Sequence, residues 1–454
     1  MDPLFVIEAA THGKGPVLFN WDAKGEILAS TGANTTVNIW SCKGKLIARL
    51  QPPGNNACTA LEWDPTGQVL AIAQANASAV LLWYKATNRV RTIELRVKEV
   101  TLVRWSHTGE YIALGTSKGR VCIYYRRTHE KHWAAGRHKR RIVCGAWSSF
   151  DKLAYASEDR QISISSVKDG VFDQVKVKCK PVEVAFGGKS DQNEEIVSVN
   201  MERRTILLYN MSEQDNALEL AFQARYGSIV SYRWFGDGYI MAGFSSGFVV
   251  VISTHFHEIG REQYCAKFHE NDLRDIALCN ASKKLATCGD NCVKLIDMED
   301  WKCWGANSIR APDLQEIKTF PVEKEGRLLH RLGWSENGHL LSVSSSNGSI
   351  YTFVVRAGSQ DVAHLYPNST SAKLLTPIPV WLALLLSIAA VIGRQAGSSL
   401  SHACNSCKPF ALHGGLWAAI PPLPSHQPQA LMAFSAKFLP LLPSFLCVSV
   451  GADP

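Results

Sequence analysis

Along most of the chain, apolar residues come in short bursts set off by polar turns. In "VRWSHTGEYIALGTSKGRVCIYYRR" (103–127) the bursts are rich in β-branched and aromatic residues, and Thr-Gly and Lys-Gly pairs separate them. This is the signature of short strands joined by tight hairpins. Between Gly13 and Asp300 few windows hold an apolar stripe at helical spacing beyond one turn, so the predicted elements are strands.

The unit repeats. "FNWDAKGEILAS" (19–30), "LEWDPTGQVLAI" (61–72) and "VRWSHTGEYIAL" (103–114) are near-copies, and Trp21, Trp63, Trp105 and Trp147 are each 42 positions apart. A β unit with a period of about 40–45 residues has the length of a four-stranded propeller blade. Further copies follow at looser spacing, with Phe186 and Leu278 where tryptophan stood and Trp234 and Trp334 restoring it. The series has eight copies and predicts an all-β propeller.

Each tryptophan should lie on an inner strand with its ring against the next blade, which removes on the order of 150–250 Å² from water per ring. Trp21, Trp63, Trp105, Trp147, Trp234 and Trp334 are therefore read as repeat core. Gly25, Gly67, Gly109, Gly238 and Gly338 each follow their tryptophan by four residues, at a turn that should demand positive φ. Asp159 and Asp290 fall in the next turn of their repeats, where a carboxylate would accept hydrogen bonds rather than catalyse.

A propeller closes by pairing a strand from the chain start with strands from its end, and "LFVIEAA" (4–10) is a suitable closing strand. The long stretch from Met298 to Arg331 favours a seven-bladed ring over 4–300, a linker over 301–331, and an additional repeat over 332–355. On that reading the repeat at Trp334 has unpaired edges; the alternative is an eight-bladed ring.

From residue 356 onward the pattern ends. Residues 374–454 carry only Arg394, Lys408, Lys437 and Asp453 as charges, with ten of the nineteen prolines. "LLTPIPVWLALLLSIAAVIG" (374–393) is long enough for a bilayer, but Pro377 and Pro379 shorten its helical part to 380–392. It is not read as an anchor; the 356–454 tail is read as disordered or as a non-native terminus.

The 46% hydrophobic content suffices for a large core, and thirteen scattered cysteines without a secretory signal point to reduced thiols in the cytosol. The formal net charge is +8, and "RRTHEKHWAAGRHKRR" (126–141) contributes +6 of it. Its seven cations, Arg126, Arg127, Lys131, Arg137, Lys139, Arg140 and Arg141, form the candidate interaction surface. A solvated rim, an acidic protein partner and an anionic membrane surface are the readings open there. Nucleic acid is not expected, because Trp133 is the only aromatic residue in the run.

No H-E-x-x-H, G-x-S-x-G or phosphate-binding Gly-rich loop occurs. Cys288 and Cys292 in "CGDNC", the pair His129 and His132, "CNSC" (404–407) and "HFHE" (255–258) are too isolated or too cationic in setting to make a metal site. No catalytic, cofactor or metal residue is assigned, and an enzyme is not expected.

"TCGDNCVKLID" (287–297) and "IALGTSKGRVCIYY" (112–125) resemble WD repeats with degenerate ends such as Trp40-Ser41 and Trp83-Tyr84. "PPGNNACTALEWD" (52–64), "GRHKRRIVCGAW" (136–147), "GDGYIMAGFSSGFVVVISTHFHEIGRE" (236–262) and "ATCGDNCVKLIDMED" (286–300) extend the likeness. Together they resemble the WD repeat-containing protein nineteen family, WD-repeat subunits of intraflagellar transport complex A, over about 5–355. That family carries two amino-terminal propellers and a helical solenoid, and the later residues of this chain do not follow that pattern.

The resemblance implies a non-catalytic interaction scaffold that supports retrograde ciliary transport, cilium assembly and entry of membrane receptors into cilia. Its expected partners are other complex A subunits and ciliary membrane-protein cargo, at the cilium, the ciliary base and in the cytoplasm. The alternative is a WD-repeat subunit of a vesicle coat or ubiquitin-ligase complex.

Overall fold

The computed structural model describes residues 3–355 apart from 168–171, 188–195, 211–216, 237, 299–315 and 323–327. These residues form eight four-stranded antiparallel sheets. The first blade is Leu18–Trp21, Ile27–Thr31, Val37–Ser41 and Leu46–Leu50, from its inner to its outer strand. Blades 2 to 7 repeat this order over 58–94, 100–133, 142–176, 181–221, 229–267 and 275–321. The second strands are buried along their whole length in blades 1, 2 and 6, whereas outer strands such as Arg89–Glu94 are mostly exposed. The core therefore lies between blades, as expected for a sheet with neighbours on both faces.

Blade 8 settles the ring. Leu329–Trp334, Leu340–Ser345 and Ile350–Val354 supply three strands, and Phe5–Ile7 pairs antiparallel with Ile350–Val354 as the fourth, in the register Phe5↔Thr352 and Ile7↔Ile350. The seven-bladed preference is thereby corrected to eight. "LFVIEAA" does close the ring, but on the repeat of Trp334 rather than on the blade before it. That earlier blade fills its own outer position with Glu316–Pro321, a strand inside the stretch expected to be a linker. Blade 8 also meets blade 1 directly: Trp21 Nε1 donates to Ser342 Oγ at 3.1 Å, and Asn337 Nδ2 donates to the Lys24 carbonyl at 3.4 Å. The tail beyond 355, including 374–393 and 404–407, lies outside the described residues.

The repeat tryptophans do more than pack. Trp63, Trp105 and Trp147 are buried, and each indole N–H donates to the carbonyl just before the previous tryptophan: Asn20, Glu62 and Arg104, at 3.0–3.2 Å. Trp334 donates likewise to Ala277, the residue before Leu278, at 2.9 Å. Trp21 is buried and Trp234 half-buried, and both donate to a serine of the preceding blade instead, Ser342 and Ser198. In the six repeats that carry tryptophan, one side chain thus supplies both the apolar face and the blade-to-blade hydrogen bond. The glycines four residues later all have positive φ, from 66° to 79°.

His12 belongs to the closure. It is buried, its Nδ1 lies 2.9 Å from the Gly348 carbonyl in blade 8, and its Nε2 lies 2.8 Å from Ser30 Oγ in blade 1. Trp40 Nε1 donates to the same Ser30 hydroxyl at 2.8 Å. Burial holds the His12 imidazole below its ordinary pKa, against the carbonyl bond that would raise it. The unfolded chain therefore takes up this proton first as pH falls. The stability tied to neutral His12 is intact above about pH 6.5 and declines as pH falls through the folded value. Urea unfolding at about pH 7.5 and about pH 5.5 should show a larger loss in the native chain than in His12→Gln, and equal losses would contradict this assignment.

Candidate functional site

Strict antiparallel order fixes which loops share a rim. Turns between first and second strands, and between third and fourth, lie on one rim. Turns between second and third strands, and the loops that enter each new blade, lie on the other. The basic run begins in the third-to-fourth turn of blade 3, after Val121–Tyr125, and ends in the loop that enters blade 4 at Ile142. Its two ends are on opposite rims, so the seven cations are not one surface.

On the first rim, Arg126 is committed to the fold. Its Nη1 pairs with Asp64 Oδ2 at 2.8 Å, in the first turn of the neighbouring blade, and the guanidinium lies 5.7 Å from the centroid of Trp105. Lys85 makes the matching link one blade earlier, to Asp22 at 3.2 Å. Arg127 is exposed beside Glu110 at 3.1 Å. Across the outer edge, Lys131 Nζ donates to the Glu94 carbonyl at 2.7 Å, and Arg120 stacks 3.9 Å over the exposed Trp133.

On the second rim, Arg137, Lys139, Arg140 and Arg141 are exposed and flank a buried His138. His138 Nδ1 lies 3.1 Å from Asp159 Oδ1, and its Nε2 lies 3.0 Å from Ser163 Oγ. Asp159 also accepts the Lys139 and Gln161 backbone N–H groups at 2.7 and 3.1 Å. Burial acts to raise the Asp159 carboxyl, but the Lys139 N–H and the His138 and Ser157 contacts override it and hold it below the usual carboxylate range. His269, Thr287 and Asp290 repeat the arrangement in blade 7. Both aspartates are turn-holding acceptors, as their positions in the repeat predict.

Lys139 and Arg140 open onto a cleft of about 600 Å³ whose other walls are Glu158 to Arg160, Lys176 to Lys178, and Lys180. Arg160, Lys176, Lys178 and Lys180 were not singled out from sequence. The lysines at every second position of "KVKCK" (176–180) were the available signal, since that spacing places all three on one face of an extended segment.

Two ion pairs link inner strands of neighbouring blades, while the inner-strand Asp275 accepts the Ile276 and Leu332 backbone N–H groups at 2.9 Å each. Glu62 meets Arg104 at 3.2 Å and Glu183 meets Arg233 at 2.9 Å, and burial pushes both carboxyls up while the arginines oppose it. Among the remaining chemistry-bearing motifs, Glu258 of "HFHE" accepts the Ser253 hydroxyl at 3.0 Å, and the His255 ring lies edge-on to Tyr239. Cys288 is buried in the hairpin that pairs Gly289 with Cys292. Among the described residues no group of three or more His, Cys, Asp or Glu side chains is placed to hold a metal.

Comparison with known proteins agrees with this architecture. Among solved structures, the C-terminal WD40 domain of Sif2 superposes with a TM-score of 0.61 at 15% identity, covering 76% of this chain and 97% of that domain, which is a likeness of fold. WD repeat-containing protein 19 of Homo sapiens is 34% identical over 363 residues, 78% of this chain and 26% of that protein. WD repeat-containing protein dyf-2 of Caenorhabditis elegans is 31% identical over 363 residues, 79% of this chain and 25% of that protein. The chain thus spans about a quarter of the length of these relatives. The model of the WDR19 first beta-propeller matches residues 17–348, from the inner strand of blade 1 to the last turn of blade 8. By that match over most of its length, the chain belongs to the family of the WDR19 first beta-propeller.

Proposed function

We propose that this chain is a non-catalytic interaction scaffold of the intraflagellar transport complex A type, whose propeller presents loops on two rims to other subunits and to ciliary membrane-protein cargo. The observation that carries the reading is the family match over 17–348. A closed ring supports it physically, because rigid blades hold rim loops in fixed relative positions, and a few such residues supply most of the affinity in an interface. The working places are the cilium, its base and the cytoplasm, with retrograde transport, cilium assembly and receptor entry as the processes served. Of the seven cations expected to form an interaction surface, Arg137, Lys139, Arg140 and Arg141 share one rim and are free to contact a partner. Arg126 is occupied by Asp64.

The test is affinity purification of the tagged chain from ciliated cells with mass spectrometry. Recovery of complex A subunits or ciliary receptors is expected. Recovery of coat or cullin-type proteins in their place would overturn the reading in favour of a coat or ligase subunit.

A further inference from the structure

Six cations, Lys139, Arg140, Arg160, Lys176, Lys178 and Lys180, converge on the blade 4 cleft from three separate segments: the loop entering the blade, its second-to-third turn, and the end of its outer strand with the loop that follows. Two acids share the cleft, but Asp159 is consumed by His138 and two backbone N–H groups. Among the described residues, the side chains of Lys139, Arg140, Lys176, Lys178 and Lys180 form no ion pair. So much unpaired charge of one sign opposes folding, and a bound polyanion would offset it.

Arg160 reaches the cleft from the second-to-third turn. It has φ 64° and its N–H donates to the Ser157 carbonyl, in the place that glycine holds in blades 3, 6 and 8 (Gly119, Gly247 and Gly348) and that Thr35, with φ 63°, holds in blade 1. An L side chain in this region is disfavoured and glycine is the relaxed choice. Here the strained conformation puts a guanidinium at the cleft, where its Nη1 donates to the Lys178 carbonyl at 3.3 Å.

We propose that this cleft binds a compact polyphosphorylated ring of the inositol phosphate class, either free or as a lipid headgroup. A volume of about 600 Å³ lies within the range of small-molecule sites. Charge converging on one cavity suits several phosphates on one small ring better than an extended acidic chain, which would need cations spread along a groove. Planar guanidinium groups from Arg140 and Arg160 match phosphate oxygens in pairs, and the lysines act as adaptable point charges. The inference is independent of which assembly the propeller joins.

Isothermal titration of the full chain with inositol hexakisphosphate tests it, beside flotation with phosphatidylcholine vesicles carrying either phosphatidylinositol bisphosphate or charge-matched phosphatidylserine. Saturable one-site binding of the hexakisphosphate is expected, falling about tenfold or more in Lys178→Ala with Lys180→Ala, as befits lost charge-assisted bonds. Arg160→Gly should weaken binding similarly while leaving the melting temperature unchanged or higher, a pairing that a purely structural arginine would not produce. Preference for bisphosphate vesicles would identify the headgroup as the source, and hexakisphosphate binding without it a soluble ligand. Absence of saturable binding to either phosphate probe overturns the proposal. So would native affinity in the variants, or displacement of the hexakisphosphate by a poly-glutamate peptide at lower concentration.

Discussion

Replacing Asp64 with alanine should cost the ring about 3–5 kcal/mol, the range for removing one partner of a buried ion pair. The carboxylate is fully buried and serves four donors: the Gln68 and Val69 backbone N–H groups at 2.7 and 2.8 Å, the Thr66 hydroxyl, and Arg126 from the next blade at 2.8 Å. Alanine would strand the two turn amides and leave the guanidinium without its counter-charge. Arg126→Ala should cost less, about 1–3 kcal/mol, because water already reaches the arginine and Asp64 would keep its other donors. Urea unfolding monitored by tryptophan fluorescence measures both. A loss under about 1 kcal/mol for Asp64→Ala would mean that water, not the blade contact, satisfies this turn. The same pair of variants separates stability from recognition: Arg126→Ala should weaken partner recovery only in proportion to the unfolded fraction.

The commitment of Arg126 to Asp64 also shows where sequence reading reaches its limit. The tryptophan period is legible because six of the eight repeats carry their own copy, and the glycine four residues on because five of them do. The indole acceptor is not, since Trp105 donates to a main-chain atom of the previous repeat and leaves no residue preference behind. The blade count depended on pairings with no local marker. Glu316–Pro321 carries no repeat signature, while the closing strand finds its partner by a register linking Phe5 to Thr352. The basic run was visible as composition, yet composition along a line does not say that a third-to-fourth turn and an entry loop face opposite rims. Nor does it say that Lys176 to Lys180 return to meet Lys139. In each case the missing information was the partner, and the partner lay one blade or a whole ring away.

Removal of residues 1–8 should be more damaging than any single substitution. Those residues hold the strand Phe5–Ile7, the Leu4 N–H that donates to the Thr352 carbonyl at 2.7 Å, and the apolar side chains that cover the seam. Ile7 is buried in a cluster with Val17, Phe19, Trp21, Trp40, Leu340 and Ile350, which spans blades 8 and 1, and Phe5 packs on it. Losing two such side chains costs on the order of 5 kcal/mol by burial alone. The truncation also uncovers Ile350–Val354 as a sheet edge, a ready template for pairing with another chain. The expected result is a lower melting temperature, loss of amide protection at Ile350 and Thr352, which face the removed strand, and concentration-dependent association in size-exclusion chromatography. A peptide spanning residues 1–12, added in trans, should restore protection by supplying the missing strand. If the truncated chain instead stays monomeric with native protection, the Trp21–Ser342 and Asn337–Lys24 contacts suffice to close the ring. The amino-terminal strand would then be a cover over the seam, and eight-bladed closure would depend on packing between inner strands alone.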